Sequence, residues 1–452
     1  MPVKRIFIVM MENRSFDHML GHLSLEGLGV DGIRRDAAWR RRVANPYNGH
    51  DYAPVPLTDP YSTAEADPPH SRRSTRRQLG AWDGARYPMR GFVETYAEAE
   101  GASPIGPGGA PLAMGYFTGR EAPVMDFFAR NFAVCDRWHA ALPAGTQPNR
   151  LMAMSGFTPF DYNETPIPSQ ELVYDWLEGK ARWRVYHAGI PFMALMPSRL
   201  GQILSGRNFR PFARIWDDVV NEPPSAFPQV VFLEPVYADA PHIGPSSDDH
   251  APGGIKEGQG FLLQCYRAVS QVPAIWKDSV MIVTYDEHGG FFDHVSPPRI
   301  RTDPPPGGAY ADGPFESLGV RVPALVISPM VTPGHIFHGV MDHVSILKLI
   351  GDTFGGRSGY SARVNARPVE SVSAVLNNPA GRPEIPTIPS INDYLARQPR
   401  GRSGRVPGTR PKTDMQHSFQ RALDDIRTHR DRSRGQFTEE LRAFPRGQGS
   451  GS

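Results

Sequence analysis

Residues 4–18 read Lys4-Arg5-Ile6-Phe7-Ile8-Val9-Met10-Met11-Glu12-Asn13-Arg14-Ser15-Phe16-Asp17-His18. The run from Ile6 to Met11 is β-branched or large and apolar without interruption, the pattern of a strand buried on both faces of a parallel sheet. It stops at a carboxylate beside a carboxamide. In open α/β sheets the carboxyl ends of the strands are where ligands sit, and oxygens of this kind bind hard cations. Glu12 and Asn13 therefore predict a metal site, with capping of the next helix as the competing reading.

A second strand of the same kind, Val280-Met281-Ile282-Val283-Thr284-Tyr285, also ends in acid, at Asp286-Glu287-His288. Carboxylates converging on one sheet edge repel unless a cation neutralises them. Glu12, Asn13, Asp286 and Glu287 are hard oxygen donors, so one divalent ion is expected, and calcium, magnesium or manganese fits better than a thiolate-type zinc. Shorter apolar runs at Phe132–Cys135, Trp183–Tyr186, Val230–Leu233 and Val322–Ile327 alternate with helical patterns at Pro123–Asn131, Leu151–Ser155, Glu171–Gly179, Gly258–Val269 and Asp342–Ile350. The fold class this implies is α/β: a doubly wound, mainly parallel sheet with helices on both faces and long loop insertions.

The chain has 452 residues with a formal charge of +2, which argues for no polyanionic partner. The basic run Arg72–Arg77 lacks interleaved aromatics and reads as a solvated face, so no nucleic acid is expected. The 46 prolines and 45 glycines point to many ordered loops. Leu23–Pro69 reads as one such aperiodic excursion, and Ala102–Pro111 as another loop. Cys135 and Cys265 cannot build a disulfide framework. No apolar run is long enough for a transmembrane helix, and the start lacks a signal-peptide pattern, so a cytoplasmic location is expected as written, with a secreted or periplasmic one as the alternative for a processed or trimmed start. Residues 1–395 are expected to form the catalytic domain. Residues 396–452 would be a linker (Ala396–Lys412) and an amphipathic helix through Met415, Phe419, Ala422, Leu423 and Ile426. That helix would pack on the domain or mediate self-association, with a membrane surface as a further alternative.

A hydroxyl stands at Gly145-Thr146, a turn before a helix, where backbone N–H groups can face an anion; plain helix capping by Thr146 is the competing reading. His70, His187 and His250 fall at strand or loop ends and could contact phosphate oxygens or protonate a leaving alkoxide. Arg14 and Arg150 lie beside the motifs, as phosphate clamps or as structural ion pairs.

Glu12-Asn13-Arg14-Ser15-Phe16-Asp17-His18, Thr146-Gln147-Pro148-Asn149-Arg150 and Tyr285-Asp286-Glu287-His288-Gly289-Gly290-Phe291-Phe292-Asp293-His294-Val295 together resemble the bacterial phosphoesterase family. That family groups phospholipases C with an acid phosphatase of intracellular pathogens. The resemblance spans most of residues 4–350. It implies an alkaline-phosphatase-like fold and a single-metal site in which Thr146 is both nucleophile and metal contact. By the same resemblance Glu12, Asn13, Asp286 and Glu287 hold the metal, and His70, His250 and His187 are the catalytic histidines. Asp293 and His294 are read as supporting residues. The implied activity is metal-dependent hydrolysis of a phosphate ester, a phospholipid included, through a phosphothreonine. The alternatives are a non-catalytic phosphate- or lipid-binding protein, or another phosphoryl or sulfuryl transferase of the superfamily. The sulfatase version needs a Cys or Ser where Thr146 stands. Export signals and β-rich C-terminal domains, common in family phospholipases, are not evident. Selectivity is expected to reside in the loops Leu23–Pro69 and Ile190–Pro228.

Overall fold

β1 (Arg5–Met11) is buried along its whole length and hydrogen-bonds to a parallel neighbour on each side. In the computed structural model, which describes residues 3–61, 66–99, 102, 111–242, 244–396 and 412–432, it lies inside an eight-stranded sheet. The other strands are β2 (Ala133–Cys135), β3 (Trp183–His187), β4 (Phe209–Pro211), β5 (Val230–Glu234), β6 (Ser279–Tyr285), β7 (Ala324–Ile327) and β8 (His335–Phe337). Their order across the sheet is β8-β2-β7-β6-β1-β5-β3-β4. Only β7 runs against its neighbours. The mainly parallel α/β architecture read from the sequence is the one observed.

Seven helices matter below: α1 (Ala37–Val43), α2 (Arg72–Leu79), α3 (Pro123–Asn131), α4 (Thr146–Ser155), α5 (Lys256–Ser270), α6 (Val344–Phe354) and α7 (Asp414–Arg432). Every residue of α4 is buried, which places it inside the molecule rather than on its face. The helix expected over Glu171–Gly179 is shorter, Val173–Leu177, and that expected at Asp342 starts at Val344. Asp342 instead accepts from Val344 N–H through its side chain, at 2.8 Å.

Leu23–Pro69 is not the aperiodic excursion its composition suggests. Asp36 caps α1 by accepting from Trp39 N–H at 2.7 Å, and a hairpin pairs Asn45–Tyr47 with His50–Tyr52. These pieces build a second small core from Trp39, Tyr52, Phe92 and Phe292. Elements of three to seven residues carry too little periodicity to be read from one sequence. The basic run is also only partly solvated. Arg72 is buried, donates to Asp161 at 2.5 Å and lies 3.9 Å from the Phe315 ring centroid. Both cysteines are buried and unpaired.

Residues 397–411, most of the expected linker, and 103–110 of the expected loop lie outside the described residues. α7 packs on the domain itself: Met415, Phe419, Ala422, Leu423 and Ile426 join the main core, and Phe419 lies 5.4 Å from the Tyr237 ring. Among the described residues no helix is long and apolar enough to cross a membrane. Because Phe419 is fully buried, Phe419→Ala should cost about 3–5 kcal/mol. The midpoint of urea unfolding measures this, and an unshifted midpoint would place α7 off the domain.

Candidate active site

The parallel register sets Met11 beside Tyr285, so the next residues, Glu12 and Asp286, emerge side by side at the carboxyl edge of the sheet. Both are fully buried, as are Asn13 and Glu287. Two tight backbone features hold this edge. Asn13 adopts φ 65°, a left-handed conformation that asparagine tolerates better than most residues. Gly289, at φ 63°, passes so close that a Cβ there would stand 2.1 Å from the Asn13 carbonyl oxygen. Gly290 makes the corresponding approach to Pro68, just before His70.

Arg150 is the counter-ion. Its Nη2 lies 3.0 Å from Glu12 Oε1 and its Nε 3.2 Å from Asp286 Oδ2, while Nη1 donates to Tyr237 Oη at 3.1 Å. The structural reading of Arg150 is thus the one the geometry supports. Asp286 is further held by backbone N–H groups of Asn13 (3.2 Å) and Glu287 (2.7 Å), both donating to Oδ1. Arg14 donates to the carbonyls of Asp249 (2.7 Å) and Gly253 (3.1 Å).

Thr146 opens α4 one turn before Arg150, so the helix that carries it is anchored to the strand ends. A turn is about 5.4 Å of rise. Gly145, its N-cap, faces His70: a Cβ there would be 3.8 Å from the His70 carbonyl oxygen. Asn149 fixes the turn from inside, accepting from Leu142 N–H at 2.9 Å and donating to the carbonyls of Ala144 (2.9 Å) and Gly145 (3.1 Å). The open row of N–H donors expected there is mostly closed. Gln147 N–H donates to Asn163 Oδ1 at 3.1 Å, Pro148 has none, and Asn149 N–H bonds to Gly145. Thr146 N–H is what remains for an anion. α7 reaches this turn as well, since Gln147 Nε2 donates to Ser418 Oγ at 3.3 Å.

His70 and His250 converge on the same edge, with ring centroids 5.6 Å apart. His70 donates through Nδ1 to Pro68 O at 2.8 Å, and its Nε2 lies 3.2 Å from the Asn13 carboxamide and 3.9 Å from Glu287 Oε1. His250 Nδ1 lies 3.3 Å from Glu12 Oε2 and 3.7 Å from Asp239 Oδ2, and its Nε2 lies 3.4 Å from Asp67 Oδ2. Burial opposes a charge on His250, but Asp67, Glu12 and Asp239 raise it well above the usual imidazole range. His187 is different. It ends β3, separated from β1 by β5, roughly 10 Å at ordinary strand spacing. It donates to Gly189 O at 2.7 Å, and burial lowers it to about 4 despite that bond. No described contact joins it to Glu12, Thr146 or Asp286.

Asp67 and Asp239 were not singled out from the sequence, because they enter from loops whose closure no periodicity reveals. With Glu12, Asp286 and Glu287 they outnumber Arg150, His70 and His250. Burial raises the carboxyls of Glu12 and Glu287; Arg150 offsets part of this at Glu12, and His70 does so at Glu287. Three buried oxygens of the strand-end residues, Glu12 Oε2, Asn13 Oδ1 and Glu287 Oε1, lack a well-formed hydrogen bond, with the His250 ring 3.3 Å from the first and the His70 ring 3.9 Å from the last. Buried oxygens left short of a hydrogen bond next to excess negative charge fit a divalent cation. Asp286 could join only by sharing an oxygen that already accepts a hydrogen bond.

Behind the edge, His294 sits between two carboxylates, Nδ1 at 2.7 Å from Asp17 Oδ2 and Nε2 at 3.1 Å from Asp31 Oδ1. Arg321 completes the group through Asp17 (3.1 Å) and Asp293 (2.9 Å).

A model of the Phosphoesterase family matches residues 3–356. Non-specific phospholipase C3 of Arabidopsis thaliana is 30% identical over 419 residues, 86% of this chain and 76% of that protein. Phospholipase C B of Mycobacterium tuberculosis (strain ATCC 25618 / H37Rv) is 28% identical over 398 residues, 78% of this chain and 73% of that one. Against another plant relative, non-specific phospholipase C1, the chain spans 62% of the relative's length. Among solved structures, the phosphonate monoester hydrolase of Agrobacterium radiobacter aligns with a TM-score of 0.35 at 11% identity, covering 84% of this chain and 78% of that chain. That likeness is too slight to build upon.

Burial opposes the charge of His294, yet Asp17 and Asp31 raise it to about 9. A histidine raised on folding stabilises fully below its unfolded value of ~6.5, and the gain is lost as pH rises through 9. Wild type should therefore exceed His294→Gln in unfolding free energy by roughly 3 kcal/mol at pH 6, and the gap should close by pH 10. Urea titrations at the two pH values decide this, and a gap that does not vary with pH contradicts the assignment.

Proposed function

The chain belongs to the Phosphoesterase family and is a phosphoric ester hydrolase; we propose that it works through Thr146, with one divalent cation at the ends of β1 and β6. The observation that carries this reading is the trio of buried oxygens on Glu12, Asn13 and Glu287 that lack a well-formed hydrogen bond, beside the turn that presents Thr146. Those residues, with Asp286 and the Thr146 hydroxyl, would hold the ion. Calcium, magnesium and manganese are the candidates for such a donor set. When bound, the cation supplies Lewis acidity toward a phosphoryl oxygen and lowers the pKa of a nearby hydroxyl.

The chain's own groups do the rest. Asn149 and the α4 N-terminus hold the Thr146 hydroxyl in place, so attack on phosphorus carries little entropic cost. With a phosphate monoester the attack yields a phosphothreonine, and with a phospholipid a threonine phosphodiester that keeps the headgroup; the alkoxide departs, and water then releases phosphate or the headgroup's phosphate monoester from the threonine. His70 and His250 line the same edge, where an imidazole can bind the equatorial oxygens or hand a proton to the departing alkoxide. His187 is assigned to the rim of this edge, outside the inner group. Arg150 pairs with Glu12 and Asp286, holds them in place and does not touch substrate.

The relatives are named as phospholipases C, and a phospholipid is accordingly the proposed substrate class, with soluble phosphate esters as simpler analogues. The non-catalytic reading is disfavoured by the excess of buried acids over their counter-ions, which is costly to keep in a mere binding scaffold. A sulfatase is disfavoured because Thr146 is neither Cys nor Ser.

Thr146→Ala should lower turnover of a chromogenic phosphate ester by on the order of 10³-fold or more, with metal content and unfolding midpoint unchanged. Full activity in that variant would remove Thr146 as the nucleophile. Glu287→Gln should reduce the metal found by elemental analysis, and a chelator should silence the wild type; a chelated enzyme that still turns over contradicts the metal site.

A further inference from the structure

Away from the strand ends, a pocket of about 280 Å³ opens between the loop at Asp31, α1, the segment 86–89 and the stretch 292–296. Its charged lining is one-sided. Arg34, Arg42 and Arg86 project from separate segments, with Asp31 as the sole lining acid. The Asp31 carboxylate is already shared among His294 at 3.1 Å, Arg137 at 3.3 Å and Arg34 at 4.0 Å. Asp83, outside the lining, accepts from the Arg86 backbone N–H at 2.8 Å. His294 adds a further positive charge at the back wall, since each of its nitrogens faces a carboxylate.

The second observation is an orphan donor. Trp39 lines the pocket, is 2% exposed, and its Nε1 has no hydrogen-bond partner. A buried indole N–H ordinarily finds an acceptor. Surplus donors, three guanidinium groups and a partly apolar wall that includes Phe292 call for a small ligand rich in acceptor oxygens and carrying a double negative charge. Guanidinium groups match such oxygens in paired geometry. The volume is just under the usual range for drug-sized ligands.

We propose that this pocket is a second anion site that binds a phosphate monoester, either free or as the headgroup of a lipid, separately from the reaction centre. It shares no lining residue with Glu12, Asn13, Thr146, His70, His250, Asp286 or Glu287. It is joined to them only through the protein: His294 holds Asp17, and Asp293-His294 lies on the segment that begins at Asp286. The proposal does not depend on which residue is the nucleophile. Phosphate monoesters are also the class of water-soluble product that cleavage of a phospholipid on the glycerol side releases, so the site suits a product or an anionic interface.

The test uses the full-length, metal-loaded enzyme and a non-hydrolysable phosphonate analogue of glycerol phosphate, titrated by calorimetry. Two binding events are expected in the wild type. In Arg42→Ala/Arg86→Ala one of them should weaken tenfold or more, while hydrolysis of a soluble chromogenic ester stays within twofold of wild type. Trp39→Phe, which removes only the indole N–H, should weaken the same event with little change in Tm. A parallel arm measures retention on phosphatidylcholine vesicles with and without phosphatidic acid. Loss of retention in the double variant identifies a lipid headgroup, and loss of analogue binding alone identifies a free ester. A single binding event, or two that survive both substitutions with vesicle retention unchanged, overturns the proposal.

Discussion

The Arg150 guanidinium, shared between Glu12 and Asp286 at 3.0 and 3.2 Å, is the contact on which the rest of the edge depends. Two parallel strands deliver two carboxylates to one spot where both are withdrawn from the molecular surface. Taking such charges out of water costs several kcal/mol each, and removing one partner of a buried pair typically costs about 3–5 kcal/mol. The pair therefore does more than add stability. It ties α4, the helix that Thr146 opens, to the ends of β1 and β6. Asn149 gripping the turn before it, and Gly289 passing against Asn13, make the placement rigid on a backbone scale.

One guanidinium does not balance the edge. Glu287 and Glu12 each keep an oxygen that no well-formed hydrogen bond satisfies, and Asp67 and Asp239 add charge from loops far apart in sequence. His250 is drawn into this field and holds three of the acids at 3.3–3.7 Å. The same logic, inverted, applies at the Arg34–Arg42–Arg86 pocket, where donors outnumber acceptors. Two unbalanced polar regions, one acidic and buried, one basic and open, lie on either side of the segment from Asp286 to His294.

Much of the edge was legible because long apolar runs ending in acid leave few alternatives. β1 and β6 could be nothing other than buried strands, and parallel pairing then put Glu12 beside Asp286. Thr146 came from a motif rather than from physics, since a threonine at a helix start is an ordinary cap. The sequence did not reveal which charge would answer the acids, because a loop-adjacent arginine such as Arg150 looks the same whether it clamps a ligand or a carboxylate. Asp67 and Asp239 were hidden for a related reason: loops close through side-chain geometry, not through periodicity. His187 is a histidine at a strand end that the sheet order sets two strands from β1, a separation that its local sequence does not show. α1 and the Asn45–Tyr52 hairpin were missed because short elements are fixed by caps and tertiary packing.

The central claim, that the Thr146 hydroxyl takes the phosphoryl group, is tested most directly by trapping the intermediate. Enzyme turning over a ³²P-labelled ester is quenched in acid, digested and mapped. The account predicts acid-stable label on the peptide containing Thr146, as phosphothreonine. Label found only on a histidine, or no covalent label under conditions of steady turnover, contradicts it.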